Sequence, residues 1–144
     1  MKQKGDLKAC LLKTIHHTDM SNIAAMIELG SSSEDWQYRA DLIRTNIEAA
    51  QKQAEVLMTT VQATSAEHLQ ELLEGILQRL RASLSYFNEI WKDISRIVII
   101  LYVRTEVSVA SLQLDLFTSW VDPEKDQDIH AVLTAEVVEF GHDE

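Results

Sequence analysis

The clearest pattern in the chain is a seam of apolar residues between positions 33 and 62. Its members are spaced alternately four and three residues apart: Trp36, Ala40, Ile43, Ile47, Ala50, Ala54, Leu57 and Val61. This spacing is typical of a helix that packs along one side against another helix. Ser31 and Glu34 match a capping box in front of the seam, and no Gly or Pro interrupts it. The pattern predicts one helix over residues 33–62.

A second seam predicts another long helix over residues 65–103. Thr64 and Glu67 match a second capping box, which places a chain reversal at residues 63–65. The seam consists of Leu69, Leu73, Ile76, Leu80, Ser83, Phe87, Ile90, Ile94, Ile97 and Leu101. Because a parallel apolar row widens this face, we expect packing on more than one neighbour. The mid-seam positions predicted to be core are Ile47, Leu57, Leu80, Phe87, Ile90 and Ile94.

Shorter helices are predicted at both ends of the chain. Two lie within residues 6–29, where Asp6 can cap the first, Asp19 or Ser21 can start the second, and Gly30 can adopt a left-handed C-terminal conformation. After a break at residues 104–106, where Thr105 can cap, we expect a helix over residues 106–121. The sequence Asp122-Pro123 then predicts a last helix over residues 123–140.

Residues 97–116 also carry a competing strand signal. They are rich in β-branched residues, and parts of the segment alternate between apolar and polar positions. A hairpin would need a turn, but no Gly, Pro, Asn or Asp lies between Ile94 and Leu114, so the pattern favours helix. The predicted fold is therefore all-α: residues 1–144 form a single multi-helix bundle around a long antiparallel, coiled-coil-like helical hairpin.

Composition agrees with this class and places a strong acidic charge at the C-terminal end. The chain of 144 residues has four Gly and one Pro, and 46% of its residues are hydrophobic. The net charge of the whole chain is −10, and residues 105–144 contain ten acidic side chains and only one basic side chain. Such a surface disfavours nucleic acid, which is bound through Lys and Arg. A single cysteine and the lack of a long apolar run predict a soluble protein of the cytoplasm, with a membrane not expected as a partner.

A search for catalytic and metal-binding patterns gives no candidates. The adjacent pair His16-His17 points in two directions on a helix, and neither His68 nor His130 follows a carboxylate at the spacing of a di-iron motif. No phosphate-binding Gly-rich loop, nucleophile elbow or Cys-x-x-Cys occurs, and Cys10 lies among apolar neighbours. We therefore expect no enzyme activity, no cofactor and no metal.

Two tryptophans and the acidic C-terminal region are the candidate partner-binding residues. Trp36, at the start of its seam, and Trp120, near Pro123, are expected to be partly exposed anchors of an interface. An acidic face that would attract a basic protein surface is expected from Glu124, Asp126, Asp128, Glu136 and Glu139.

One segment resembles a known family. The pattern Tyr86-Phe87-x-x-x-Trp91-x-x-Ile94, followed by an apolar run, is similar to the tail bundles of long-helix α-pore-forming toxins, over about a third of the chain. That resemblance implies a membrane-active helical protein, which is the alternative function. An exposed apolar face on residues 94–121 would favour it, whereas burial of that face would favour an interaction protein. The residues themselves favour a non-enzymatic helical interaction module: an adaptor, an inhibitor or immunity-type protein, or a complex subunit. It would use its apolar seam and acidic surface to bind a protein partner or to form a homo-oligomer.

Overall fold

The computed structural model describes residues 2–3, 7–89, 91, 96–134 and 137–138, and in these ranges the protein is all-α apart from one short strand pair. The helices are α1 (Leu7–His17), α2 (Met20–Glu28), α3 (Ser33–Gln62), α4 (Glu67–Glu89), α5 (Arg96–Trp120) and α6 (Gln127–Thr134). The strands β1 (Lys2–Gln3) and β2 (Val137–Val138) pair antiparallel, with Lys2 opposite Val138. The predicted all-α multi-helix bundle is confirmed.

Four of the helices form a closed ring in the order α1, α3, α4, α5. Helix α1 packs on α3 and on α5, and α4 packs on the same two helices from the other side. Neighbouring helices run in opposite directions: the Arg79 Nη1 of α4 lies 2.9 Å from the Glu106 Oε1 of α5, and Tyr86 lies against Tyr102. On the other side of the ring, Lys8 Nζ of α1 lies 2.9 Å from Asp115 Oδ1 of α5. Helix α6 adds a cover over α3.

The α3 seam and the α4 part of the second seam form the interior of this ring. Every seam position of α3 is buried, and so are the seam positions of α4 from Leu69 to Phe87. The core prediction is confirmed for Ile47, Leu57, Leu80 and Phe87; Ile90 and Ile94 lie outside the described residues. The last two members of the second seam, Ile97 and Leu101, are exposed on α5, so the seam prediction is wrong there. The buried seam residues hold the bundle together and are not surfaces for a partner.

The ends of α2 and α3 are set by local hydrogen bonds. Asp19 caps α2 as predicted, and Gly30 has a φ of 63° while the Ser31 N–H donates to the Met26 carbonyl at 3.0 Å. The capping box of α3 lies one residue later than predicted, between Ser32 and Asp35.

The start of α4 also differs from its prediction. In place of a capping box with Glu67, the Thr64 Oγ1 accepts from the Ala66 N–H at 3.3 Å.

The prediction of one helix over residues 65–103, followed by a break at residues 104–106, is wrong. Helix α4 ends at Glu89, and α5 runs without interruption from Arg96 to Trp120. The polar residues that suggested a break are accommodated within the helix: the Thr105 hydroxyl donates to the Leu101 carbonyl at 3.0 Å, and Glu106 accepts from Arg79. The segment 97–116, ambiguous in sequence, is therefore helical.

The predicted helix over residues 123–140 is also corrected. Residues 123–126 form a turn, α6 covers only Gln127–Thr134, and Val137–Val138 pair as a strand. The turn is held by two carboxylates. Asp122 Oδ1 accepts from the backbone N–H groups of Glu124 and Lys125, and Asp126 Oδ2 accepts from the Asp122 N–H at 3.0 Å. Pro123 therefore begins a carboxylate-bonded turn, not the first turn of a helix.

Candidate functional site: the outer face of α5

The two tryptophans proposed as anchors lie in different environments. Trp36 is only 9% exposed and belongs to the core, so its predicted role as an exposed anchor is wrong. It is the first member of the α3 seam, and that position points inward. Trp120 at the end of α5 is 45% exposed, with its ring centroid 5.6 Å from that of His68. Only Trp120 presents aromatic surface of the kind predicted.

The acidic residues lie on a turn and a short helix, not on one helical face. Glu124 and Asp126 belong to the turn before α6, and Asp128 lies in the first turn of α6. Glu124 and Asp128 are exposed, whereas Asp126 is half-buried and bonded to the Asp122 N–H. Glu136 and Glu139 lie outside the described residues.

Part of this negative charge accepts hydrogen bonds from backbone N–H groups. Asp122 accepts hydrogen bonds from two backbone N–H groups, chiefly that of Glu124, and these bonds lower the pKa of its carboxyl. Asp122 therefore keeps its charge in more acidic solution than an ordinary aspartate does.

A third feature is an exposed row of side chains on α5, within the apolar segment 94–121. We call it the α5 stripe; it consists of Val98, Tyr102, Thr105, Val109, Leu112 and Leu116. Five of its members are exposed, with Val98 at 61% and Leu112 at 69%, and Val109 is half-buried. The members are spaced 4, 3, 4, 3 and 4 residues apart, which is the spacing of a helix–helix contact. Ile97 and Leu101 extend the apolar surface at one end.

The α5 stripe lies on the side of the helix opposite the core. The inward side of α5 carries Val103, Val107, Ala110 and Leu114, all of which are buried. At 100° per residue these positions and the stripe fall on opposite sides of the helix. Helix α5 is thus apolar both toward the core and toward solvent. A surface helix of a small bundle normally carries polar residues on its outer side.

The charged residues of α5 lie beside the stripe and not in it. Two of its four formal charges pair with the neighbouring helices: Glu106 with Arg79 of α4, and Asp115 with Lys8 of α1. The other two, Arg96 and Arg104, are half-buried. The stripe is therefore a continuous uncharged surface about 27 Å long, from the rise of about 1.5 Å per residue over its 18 steps.

One member of the stripe is held in place by α4. The rings of Tyr102 and Tyr86 lie 4.4 Å apart between centroids, at an interplanar angle of 55°. A hydrogen bond with Tyr102, together with partial burial, raises the pKa of the Tyr86 phenol. This contact orients the Tyr102 ring and limits its side-chain freedom.

A half-open cleft of about 400 Å³ lies at one end of the bundle, between α1, α3, α5 and α6. Its walls are mainly apolar, with Leu7, Leu57 and Leu114 opposite Val132 and Leu133. The Lys8–Asp115 ion pair lies on its lining and neutralises the charge there. Because these two charges neutralise each other, the described lining offers a ligand mainly apolar contacts.

Reactive chemistry is not assembled in the part of the chain that the structure describes. Within those ranges no three His, Cys, Asp or Glu side chains come close enough to hold a metal ion. His17 has a buried Nδ1 without a hydrogen-bond partner, and burial, followed by the charge of Arg39, lowers the pKa of its imidazole. The ring of His16 lies beside it, with centroids 5.4 Å apart, but the two imidazoles belong to no metal-binding group, and we assign His17 no chemical role.

In length and hydropathy, α5 could cross a membrane. It is the one helix with these properties among the residues the structure describes, and 39% of its most apolar window is buried in the bundle. Core helices of soluble proteins meet the same criterion, so the exposed outer face of α5 is the more informative property.

Comparison of this chain with models of protein families, with characterised proteins and with solved structures found no match. The similarity to pore-forming toxin bundles therefore gains no support, and any functional conclusion depends on the geometry of α5 and the acidic turn.

Proposed function

We propose that this protein is a non-enzymatic helical interaction module whose docking surface is the α5 stripe. The observation that carries this proposal is that α5 is apolar on two opposite sides while only one of them faces the core. An exposed apolar surface of this extent is unfavourable in water and marks an interaction site. A helix from a partner, laid along the stripe, would bury it at the spacing that the stripe already has.

The acidic turn gives the docking surface a direction. It follows the C-terminal end of α5, so a partner lying on the stripe would reach it at one end only. Exposed Glu124 and Asp128 would attract a basic group there, which supports fast and oriented association more than high affinity. In this proposal the acidic surface orients the partner, and the α5 stripe replaces the buried seams as the apolar surface that binds it.

The test compares three versions of the protein as baits in its native source. In Leu112→Glu a charge is placed in the middle of the stripe. In Val56→Glu the same charge is placed on α3, at a residue 55% exposed and outside the stripe. A true partner should be captured by the wild-type protein and by Val56→Glu, and at least tenfold less by Leu112→Glu. Partners captured equally by all three versions would contradict docking on the stripe.

A membrane-active function is the second candidate, because α5 has the length and hydropathy of a membrane-spanning helix. Sedimentation with vesicles of zwitterionic phosphatidylcholine tests it, since the net charge of −10 disfavours anionic lipid. Binding of the wild-type protein that is lost in Leu112→Glu would favour this function over docking to a protein. Protein that stays in the supernatant at every lipid concentration would exclude it.

A further inference from the structure

We propose that the partner covering the α5 stripe is the α5 stripe of a second copy. The two helices would run antiparallel, and the two-fold axis would cross the stripe at the level of residue 107. This inference rests on the proposed function, since it identifies what occupies the docking surface. Three features of the described residues favour it: the spacing of the stripe, the sizes of its side chains and the distribution of charge along α5.

The spacing of the stripe is the same when it is read in either direction. Its steps of 4, 3, 4, 3 and 4 place position 98 opposite 116, position 102 opposite 112 and position 105 opposite 109 in an antiparallel pair. Every stripe residue then faces another stripe residue, as a two-fold interface between identical surfaces requires. No member is left against a charged side chain of the opposite α5.

The side chains fit this pairing by size. Tyr102 would lie opposite Leu112, and Val98 opposite Leu116, so each outer pair contains at least one large side chain. In the middle Thr105 meets Val109, and both are small. The helices can therefore approach most closely at the centre, where short side chains permit it, while the large residues pack on either side of the crossing.

The charge distribution distinguishes an antiparallel from a parallel pair. The charges at the N-terminal end of α5 are Arg96 and Arg104, whereas its C-terminal end leads into Asp122, Glu124 and the rest of the acidic turn. An antiparallel pair brings this basic end of one α5 alongside the acidic turn that follows α5 in the second copy. Basic ends thus meet acidic ends, and the helix dipoles add to the attraction.

A parallel pair would place the two acidic turns side by side. Their carboxylates are charged at neutral pH, so these turns would repel each other. Packed helices lie about 8–10 Å apart, which is comparable to the Debye length of about 8 Å, so salt screens the repulsion only partly. The antiparallel pair avoids this repulsion and also supplies the basic partner surface that the acidic turn would attract.

The first experiment measures the mass of the whole protein in solution over a wide range of concentration. Light scattering should show a species of twice the chain mass of 16.4 kDa at high concentration, which dissociates on dilution. Leu112→Glu should raise the dimer dissociation constant at least tenfold, whereas Val56→Glu should leave it within about twofold. Both variants add the same charge at exposed positions, and circular dichroism would verify that both remain folded.

The second experiment fixes the register and does not depend on a disruptive variant. In a Cys10→Ala background, Val98→Cys and Leu116→Cys are prepared separately and mixed, and diamide is added as oxidant. The antiparallel pair predicts a disulfide-linked dimer that forms in the mixture and at most weakly in either variant alone. The two positions lie about 27 Å apart along α5, so a parallel pair would instead cross-link each variant to itself.

The outcomes separate this inference from the proposed function. Self-cross-linking of each single variant, or a dimer that Leu112→Glu does not weaken, would overturn the antiparallel α5 pair. A monomer at all concentrations whose stripe nevertheless binds another protein would also overturn it, but would leave the docking function standing. A monomer whose stripe variants change no interaction at all would remove both.

Discussion

The two glycines that the structure describes should respond in opposite directions to the same substitution. Gly75 lies in the interior of α4, where a glycine costs about 0.5–1 kcal/mol relative to alanine, mainly through the freedom it has in the unfolded chain. A Cβ built on Gly75 would lie 3.5 Å from Nε2 of Gln113, which is an ordinary van der Waals contact. Gly75→Ala should therefore increase the free energy of unfolding by about 0.5–1 kcal/mol.

Gly30 provides the matched control. A Cβ there would meet no atom within 4 Å, so space alone would permit alanine. Its φ of 63°, however, lies in the left-handed region, which costs a residue with a Cβ about 1–2 kcal/mol. Gly30→Ala should therefore destabilise the protein by that amount, although it is the less crowded of the two sites.

Urea unfolding followed by circular dichroism measures both effects. With a urea dependence of about 1–3 kcal/mol/M for a chain of this size, Gly75→Ala should move the midpoint upward by about 0.2–1 M. Gly30→Ala should move it downward. Midpoints that shift in the same direction would refute the reasoning, because the two sites differ in backbone conformation and not in the residue introduced.

Three further perturbations test other parts of the fold. Ser32→Ala removes one half of the α3 capping box and should lower the free energy of unfolding in urea by about 0.5–2 kcal/mol, and an unchanged value would count against that cap. Phe117→Ala empties a fully buried site on the inner side of α5 and should cost about 3–5 kcal/mol in the same assay, whereas a cost below about 1 kcal/mol would contradict its burial. Because burial and Arg39 lower the pKa of His17 from 6.5, the unfolded chain binds a proton more readily, so stability should fall as the pH drops below about 6.5. His17→Gln should flatten this part of the pH profile, and an equally steep profile in the variant would assign it to other groups.

The sequence predicted best where apolar spacing and end signals coincide. Helix α3 has the predicted bounds because its seam is uninterrupted and serines precede it. The junction between α4 and α5 could not be placed in the same way. The apolar spacing continues from Phe87 to Leu101 without Gly or Pro, so periodicity alone predicts one helix where the structure has two. Arg104 to Glu106 looked like a break because two contacts are not visible in a sequence: the bond of Thr105 to the Leu101 carbonyl within α5, and the pairing of Glu106 with Arg79 of α4.

The candidate site was harder to predict than the fold. Trp36 was chosen because it is a large aromatic at a helix start, but position within a seam decides burial more strongly than residue type does. The signal for the α5 stripe was present, since Val98, Leu112 and Leu116 stand at regular spacing. It could not be recognised as a surface until the inner face of α5 was known, because in a helix that is apolar on both sides the sequence does not say which side faces the core.

The closing contact of the helical ring has a consequence for the order of folding. Helices α3, α4 and α5 each pack on their neighbour in sequence, whereas α1 reaches α5 across most of the chain: the Lys8 Nζ donates to the Ser111 Oγ at 2.6 Å, 103 residues away. Contacts between neighbours close short loops and form early, and distant ones pay a larger entropic cost. We therefore expect the contact between α1 and α5, which closes the ring, to form last. In the native state the backbone amides of α1 should exchange with deuterated water sooner than those in the middle of α3, because releasing α1 leaves the α3–α4 and α4–α5 pairs intact.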